Sequence, residues 1–211
     1  MLTVVCIGDS ITQSFRGTDI EHLSYPARLE SLLQQRGIPA RVVNVGLGGE
    51  CADAGARRFA EDVLSERPSV VTIMYGANDQ YLLPDERRSR VSLDDYEASL
   101  REMVEQGRRA GASTVLMTPP PFTMAFLQYL TDDRLYSVFG ASVLLGQYAE
   151  RVRLVARELG TPLVDMYTSF INLSLSGADM NALLPDGVHP VPEAHGYMAE
   201  WMVDVVAAAL Q

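Results

Sequence analysis

Residue types suited to nucleophilic acyl chemistry stand at turns of this 211-residue chain. There is a serine in Gly8-Asp9-Ser10, an asparagine in Gly76-Ala77-Asn78-Asp79, and an aspartate and a histidine three apart in Asp186-Gly-Val-His189. A serine hydroxyl is a weak nucleophile until a base takes its proton, and imidazole, which titrates near neutrality, is suited to that task. Across a single turn Asp186 can reach the other ring nitrogen of His189, fixing the tautomer and stabilising the imidazolium. Charge developing on an attacked carbonyl oxygen needs fixed donors. The Asn78 amide, a backbone N–H of the glycine-rich stretch Asn44-Val-Gly46-Leu-Gly48-Gly49-Glu50 and the N–H of Ser10 are candidates.

Elements that bring these turns together are legible in the hydrophobic pattern. Apolar, strand-like runs recur at Leu2 to Ile7, Arg41 to Val45, Ser69 to Tyr75, Thr114 to Thr118 and Pro162 to Met166, with helical periodicity between them. This alternation predicts a parallel sheet with helices on both faces. Leu29, Leu32 and Leu33 share a helix face that stops at Gly37, and a second helix near Ala52 to Glu66 ends before Pro68. Ser92-Leu-Asp-Asp95 reads as a capping-box start for a third, and Leu144, Tyr148, Val152, Val155 and Leu159 form a fourth stripe. Ser10, the 44–50 turn and the 76–79 turn then lie at carboxyl ends of strands, and the 184–190 loop precedes the last helix. In a parallel sheet those ends share one rim, so four sequence-distant turns become one site.

Composition narrows the chemistry further. Apolar residues make up 47% of the chain and charged ones 21%, as in an ordinary globular protein, and nothing resembling a linker divides residues 1–211, which are read as one domain. A net charge of −10 disfavours nucleic-acid partners. All 17 basic side chains are arginine, so a lysine Schiff base and the lysine of a phosphate-binding P-loop are both excluded. Cys6 and Cys51 are too few and too far apart for a zinc knuckle or a redox pair, and read as buried small hydrophobes. No His-Glu-x-x-His spacing occurs among His22, His189 and His195, so no metal or other cofactor is expected. Without a basic leader segment or a membrane-length apolar run, the expectation is a cytoplasmic protein with no membrane span.

Taken in order, the Gly8-Asp9-Ser10 block, the glycines at 46 to 49, Gly76-x-Asn78-Asp79 and Asp186-x-x-His189 resemble the SGNH, or GDSL-type, serine hydrolase superfamily over nearly the whole chain. The stretches Val71 to Asp79, Val115 to Pro121 and Leu184 to His189 look most like its isoamyl-acetate-hydrolysing esterase branch. The resemblance implies a three-layer α/β/α, flavodoxin-like fold with a five-stranded parallel sheet, and a carboxylic-ester hydrolase working on short-chain acyl esters through an acyl-enzyme. It implies Ser10 as nucleophile, Asp186 and His189 as the rest of the triad, and Ser10, Gly49 and Asn78 as oxyanion donors. Gly49 is preferred because the family's oxyanion glycine usually precedes an acidic residue, here Glu50; Gly46 and Gly48 are the alternatives. Ile11 replaces the leucine of the GDSL name, and Thr12 breaks the Gly-x-Ser-x-Gly elbow of other α/β-hydrolases.

Two alternatives stand beside this reading: a carbohydrate O-deacetylase with the same triad, and a non-catalytic small-molecule-binding module of the same topology. The second is disfavoured because Cys51 occupies the last position of a Gly-x-Gly-x-x-Gly pattern. The aromatic segment Phe122 to Phe139 is expected either to wall the acyl crevice or to serve as a packing insertion or as the contact of a homo-oligomer. His195, in Pro-Glu-Ala-His-Gly, is expected at the surface or a helix start without a chemical role, and His22 is read as structural.

Overall fold

The computed structural model describes residues 2–83 and 88–211. Strands β1 (Leu2–Gly8), β2 (Ala40–Asn44) and β3 (Val70–Met74) precede a two-residue ribbon formed by β4 (Leu82–Leu83) and β5 (Arg88–Ser89), and β6 (Ser113–Met117) and β7 (Leu163–Val164) follow. The five main strands pair in the order β2-β1-β3-β6-β7, all parallel. β1 and β3 are almost wholly buried because both sheet faces are covered, which is why they read as unbroken apolar runs.

Helices pack on both faces. One layer holds α2 (Tyr25–Gln35), α7 (Met166–Leu175) and α9 (Pro192–Ala209), whose Leu29, Leu33, Phe170, Met198 and Met202 meet Val4, Cys6 and Val115 from the sheet. The other holds α3 (Ala52–Arg58), α4 (Leu93–Arg109) and α6 (Leu145–Leu159), whose Ala52, Leu100, Met103, Val152 and Val155 meet Val5, Ile7 and Val71. The alternation of β1 side chains between these two cores is the period-two geometry of a strand. The chain past α3 continues through a π-turn over Phe59–Val63 and a short 3-10 turn to Glu66, ending before Pro68 as expected. At α4 the Ser92 hydroxyl accepts the Asp95 N–H at 3.1 Å, the bond predicted by the capping pattern. Among the described residues no helix is long and apolar enough to cross a membrane.

Shorter α-helices are α1 (Ser10–Gln13), α5 (Arg134–Phe139) and α8 (Met180–Leu183), with 3-10 turns at Glu21–Leu23 and Met124–Tyr129, and α1 and α8 bear on the site. The 119–139 segment differs from the predicted crevice wall. Phe122 and Phe126 lie in the core, with ring centroids 4.5 Å apart, and Phe126 meets Tyr136 and Tyr81 edge-on. The physical reason is the loop it covers: a Cβ at Gly187, whose φ is +88°, would lie 2.1 Å from the Phe126 nitrogen. The segment is packed against the 184–189 loop and supports it from behind.

Candidate active site

β1 delivers Asp9 and Ser10 straight from the buried sheet. Asp9 caps α1, its carboxylate accepting the Ile11 N–H at 2.9 Å, and Ser10 is the first helical residue. His189 enters from the loop between α8 and α9, and its Nε2 lies 2.8 Å from Ser10 Oγ. Its Nδ1 lies 2.6 Å from Asp186 Oδ2. A carboxylate acceptor places the ring proton on Nδ1, so Nε2 is left to accept the Ser10 hydroxyl proton.

Asp186 is held as an anion. Partial burial works against the charge, but the N–H groups of His189 (2.7 Å) and Val188 (2.9 Å) and the imidazole bond outweigh it, and the carboxyl is lowered to about 2. Sequence reasoning missed a further partner: the Tyr129 hydroxyl donates to Asp186 Oδ2 at 3.0 Å, and Gln128 Nε2 donates to the Asp186 carbonyl at 3.0 Å. Nothing local in the sequence ties 128–129 to 186; the contact exists only because the insertion folds over the loop.

The three glycines differ in what their N–H groups bond. Gly46 N–H donates to Asn44 Oδ1 at 3.0 Å and Gly48 N–H to Gln13 Oε1 at 2.5 Å. Among the described residues Gly49 N–H has no acceptor, and its φ of +76° turns the peptide in a way that favours glycine. Ser10 N–H, at the helix start, is likewise without one. Asn78 Nδ2 donates to the Glu50 carbonyl at 3.1 Å, which leaves its second amide proton available and ties the third-strand turn to the glycine turn.

Behind Gly49 stands a network that the sequence reading did not foresee. Arg58 clamps both oxygens of Glu50, at 2.8 and 2.6 Å, and donates to the Val45 carbonyl at 2.8 Å, while the Tyr75 hydroxyl donates to Glu50 at 2.7 Å. Asp79, fully buried, accepts the N–H groups of Ala52 at 2.8 Å and Gly76 at 3.0 Å, fixing the same two turns. Glu50 stands just before α3 and Arg58 is its last residue, eight positions on, so the three- or four-residue spacing that pairs side chains on a helix gave no signal.

Of the two places expected for His195, it takes the helix start and not the surface: it is 1% exposed. It lies in the first turns of α9 with Ala194, Met198, Ala199 and Met202, a helical stripe that the sequence already contained. His22 is exposed. Cys6 is buried as predicted, and Cys51 is only half-buried. Among the described residues no group of three or more His, Cys, Asp or Glu is arranged to hold a metal ion.

A cavity of 320 Å³ opens at Ser10 and His189, and none of its lining residues comes from the 119–139 segment. A larger one, 630 Å³, lies between residues 121–124 and α7 and includes none of Ser10, Asp186 or His189.

Fold and site together describe a three-layer hydrolase in which a strand-end serine meets a histidine from the last loop. The chain belongs to the GDSL-like Lipase/Acylhydrolase family, whose model matches residues 6–197, and it is a carboxylic-ester hydrolase. It is 31% identical over 207 residues to an acetylxylan esterase of Geobacillus stearothermophilus, covering 92% of this chain and 88% of that one. It is 32% identical over 136 residues to the isoamyl acetate-hydrolyzing esterase 1 homolog of Rattus norvegicus, covering 63% of this chain and 53% of that one. The solved structure of Axe2, the acetylxylan esterase from Geobacillus stearothermophilus, superposes with a TM-score of 0.76 at 29% identity, covering 96% of this chain and 93% of that one.

Proposed function

We propose that this protein cleaves short-chain carboxylic esters through an acyl-enzyme on Ser10. One observation carries the reading: Ser10 Oγ, His189 and Asp186 form a continuous hydrogen-bonded chain of 2.8 and 2.6 Å. His189 Nε2 takes the hydroxyl proton as Ser10 Oγ bonds to the carbonyl carbon. The resulting oxyanion accepts from Ser10 N–H, Gly49 N–H and the Asn78 amide, groups aimed at charge that exists only in the transition state and the intermediate. Collapse of the intermediate breaks the bond to the alcohol oxygen, which leaves with the proton that His189 held. Water then repeats the sequence, releasing the carboxylic acid and restoring the serine hydroxyl.

The cavity of 320 Å³ beside Ser10 and His189 suits a small alcohol group, and the acetyl esters named for the two relatives support a short acyl chain. A second reading, deacetylation of acetylated sugars, is supported by the acetylxylan esterase relative at 31% identity. Hydrolysis rates on 4-nitrophenyl acetate, 4-nitrophenyl octanoate and acetylated xylo-oligosaccharides, each with the wild type and with Ser10→Ala, test both readings. Acetate is expected to exceed octanoate, and Ser10→Ala to abolish every activity. Preference for octanoate rejects the short-chain assignment, and dominance of the oligosaccharide establishes the second reading.

A further inference from the structure

A second serine–histidine pair lies beside the first. Ser14 Oγ is 2.9 Å from His195 Nε2, and both residues line the cavity that also touches Ser10, Gln13, Phe15 and His189. The ring orientation settles what the pair can do. His195 Nδ1 accepts the Tyr25 backbone N–H at 3.3 Å, so that nitrogen carries no proton in the neutral ring, and Nε2 carries it instead. Burial, with Arg28 and His189 nearby, lowers the His195 pKa to about 3, which keeps the ring neutral. Stacking on Tyr25, at a centroid distance of 5.9 Å, and an edge contact with Phe15 at 5.2 Å hold it in place.

His195 Nε2–H therefore donates to Ser14 Oγ and is no base for it, which distinguishes this pair from Ser10–His189. Ser14 becomes the acceptor in that bond, and its own hydroxyl proton has no acceptor among the described residues. Ser14 also has φ +43°, a conformation that is sterically costly for any residue with a Cβ and that clusters at functional sites. Which part of an ester this hydroxyl faces follows from the mechanism. His189 must return its proton to the departing alcohol, so the alcohol lies on the His189 side of Ser10. The cavity lies on that side: His189, Pro190 and His195 line it, and neither Gly49 nor Asn78 does.

We propose that Ser14 Oγ–H donates a hydrogen bond to an oxygen carried by the alcohol part of the ester, making Ser14 a specificity-determining residue and His195 the residue that positions it. The favoured class is an ester of a diol, polyol or ether alcohol, with a second oxygen near the scissile bond. The assignment rests on the reading of Ser10 and His189 as nucleophile and base.

The test compares kcat/KM for 2-methoxyethyl acetate with that for butyl acetate, two esters that differ only by an ether oxygen in place of a methylene on the alcohol side. Ser14→Ala and Ser14→Gly both remove the hydroxyl, and the glycine variant tolerates the positive φ, so a strained backbone cannot mask the result. In each the ratio is expected to fall about 3- to 10-fold, the loss typical of one neutral hydrogen bond. The acyl-side pair, ethyl methoxyacetate against ethyl butanoate, is expected to keep its wild-type ratio. An unchanged alcohol-side ratio in both variants overturns the proposal, and so does a fall confined to the acyl-side pair. Failure of the underlying reading looks different: Ser10→Ala would then hydrolyse these esters as fast as the wild type.

Discussion

Tyr129 Oη donates to Asp186 Oδ2 at 3.0 Å, the same oxygen that holds His189 Nδ1 at 2.6 Å. The tyrosine is itself fixed, since its carbonyl accepts the Tyr81 hydroxyl at 2.9 Å. A donor on that oxygen shares the carboxylate's charge and so weakens its support of the imidazolium. Tyr129→Phe is therefore expected to move the rising limb of kcat/KM to higher pH while leaving the fold intact. A pH–rate profile checks this, and a shift to lower pH would show that the hydroxyl acts otherwise.

Asn78→Ala is expected to lower kcat by about 10²-fold or more with little change in KM, because removing one oxyanion donor costs that much where the charge arises only in the transition state. Steady-state kinetics on a soluble acetate ester decide it. A variant with near-normal kcat and a raised KM would make the amide a ground-state contact.

Much of this site was legible because its residues sit where strands stop. β1, β2, β3 and β6 lie within a residue or so of the apolar runs that predicted them. β7 is shorter than its run, since Asp165 turns away to cap α7, its carboxylate accepting the Thr168 N–H at 3.1 Å. What could not be read are contacts between distant segments whose residue types are common in any core. Phe126 against Gly187 is one, and Tyr129 on Asp186 is another. His195 is a different matter, because its helical spacing to Ala199 and Met202 marked it as inward-facing, and only the polar neighbours in sequence suggested otherwise.

That packing changes what Phe126→Ala should do. The ring is 3% exposed and is enclosed by Phe122, Tyr136 and Tyr81 in an aromatic cluster that supports the 184–189 loop. Truncation is expected to cost about 3–5 kcal/mol of stability, as for other buried phenylalanines, without shifting the preferred acyl length. Urea unfolding and a chain-length series measure the two effects separately; a shifted optimum at unchanged stability would restore the wall.

Arg58 and Glu50 are largely shielded, at 14% and 8% side-chain exposure, and their two bonds brace the turn that carries Gly49. Removing one member leaves the other charge buried without its partner. Arg58→Ala is thus expected to destabilise by about 3–5 kcal/mol and to lower kcat in whatever fraction remains folded. If stability falls and the kcat of the folded enzyme does not, the pair supports the fold alone.

Asp9 and Asp79 set an opposite demand on pH. Burial pushes the Asp9 carboxyl up to about 7, the Ile11 N–H bond opposing it and the charges of Asp79 and Glu50 adding to it. Asp79 is also raised to about 7, by burial, against the pull of the Ala52 and Gly76 N–H bonds. In the unfolded chain each titrates near 3.9. A folded-state value above the unfolded one means that stability is fully present below about pH 4 and is lost as pH rises toward 7. His195, lowered to about 3, works in the other direction, since it loses stability as pH falls below the ordinary histidine range. Comparing wild type with Asp9→Asn isolates the first effect, because His195 is common to both. The amide oxygen still accepts the Ile11 N–H, whereas the ionisation is gone. Urea midpoints are expected to show Asp9→Asn gaining on the wild type progressively from pH 4 to pH 8. A difference that stays constant over that range would mean that Asp9 does not titrate within it.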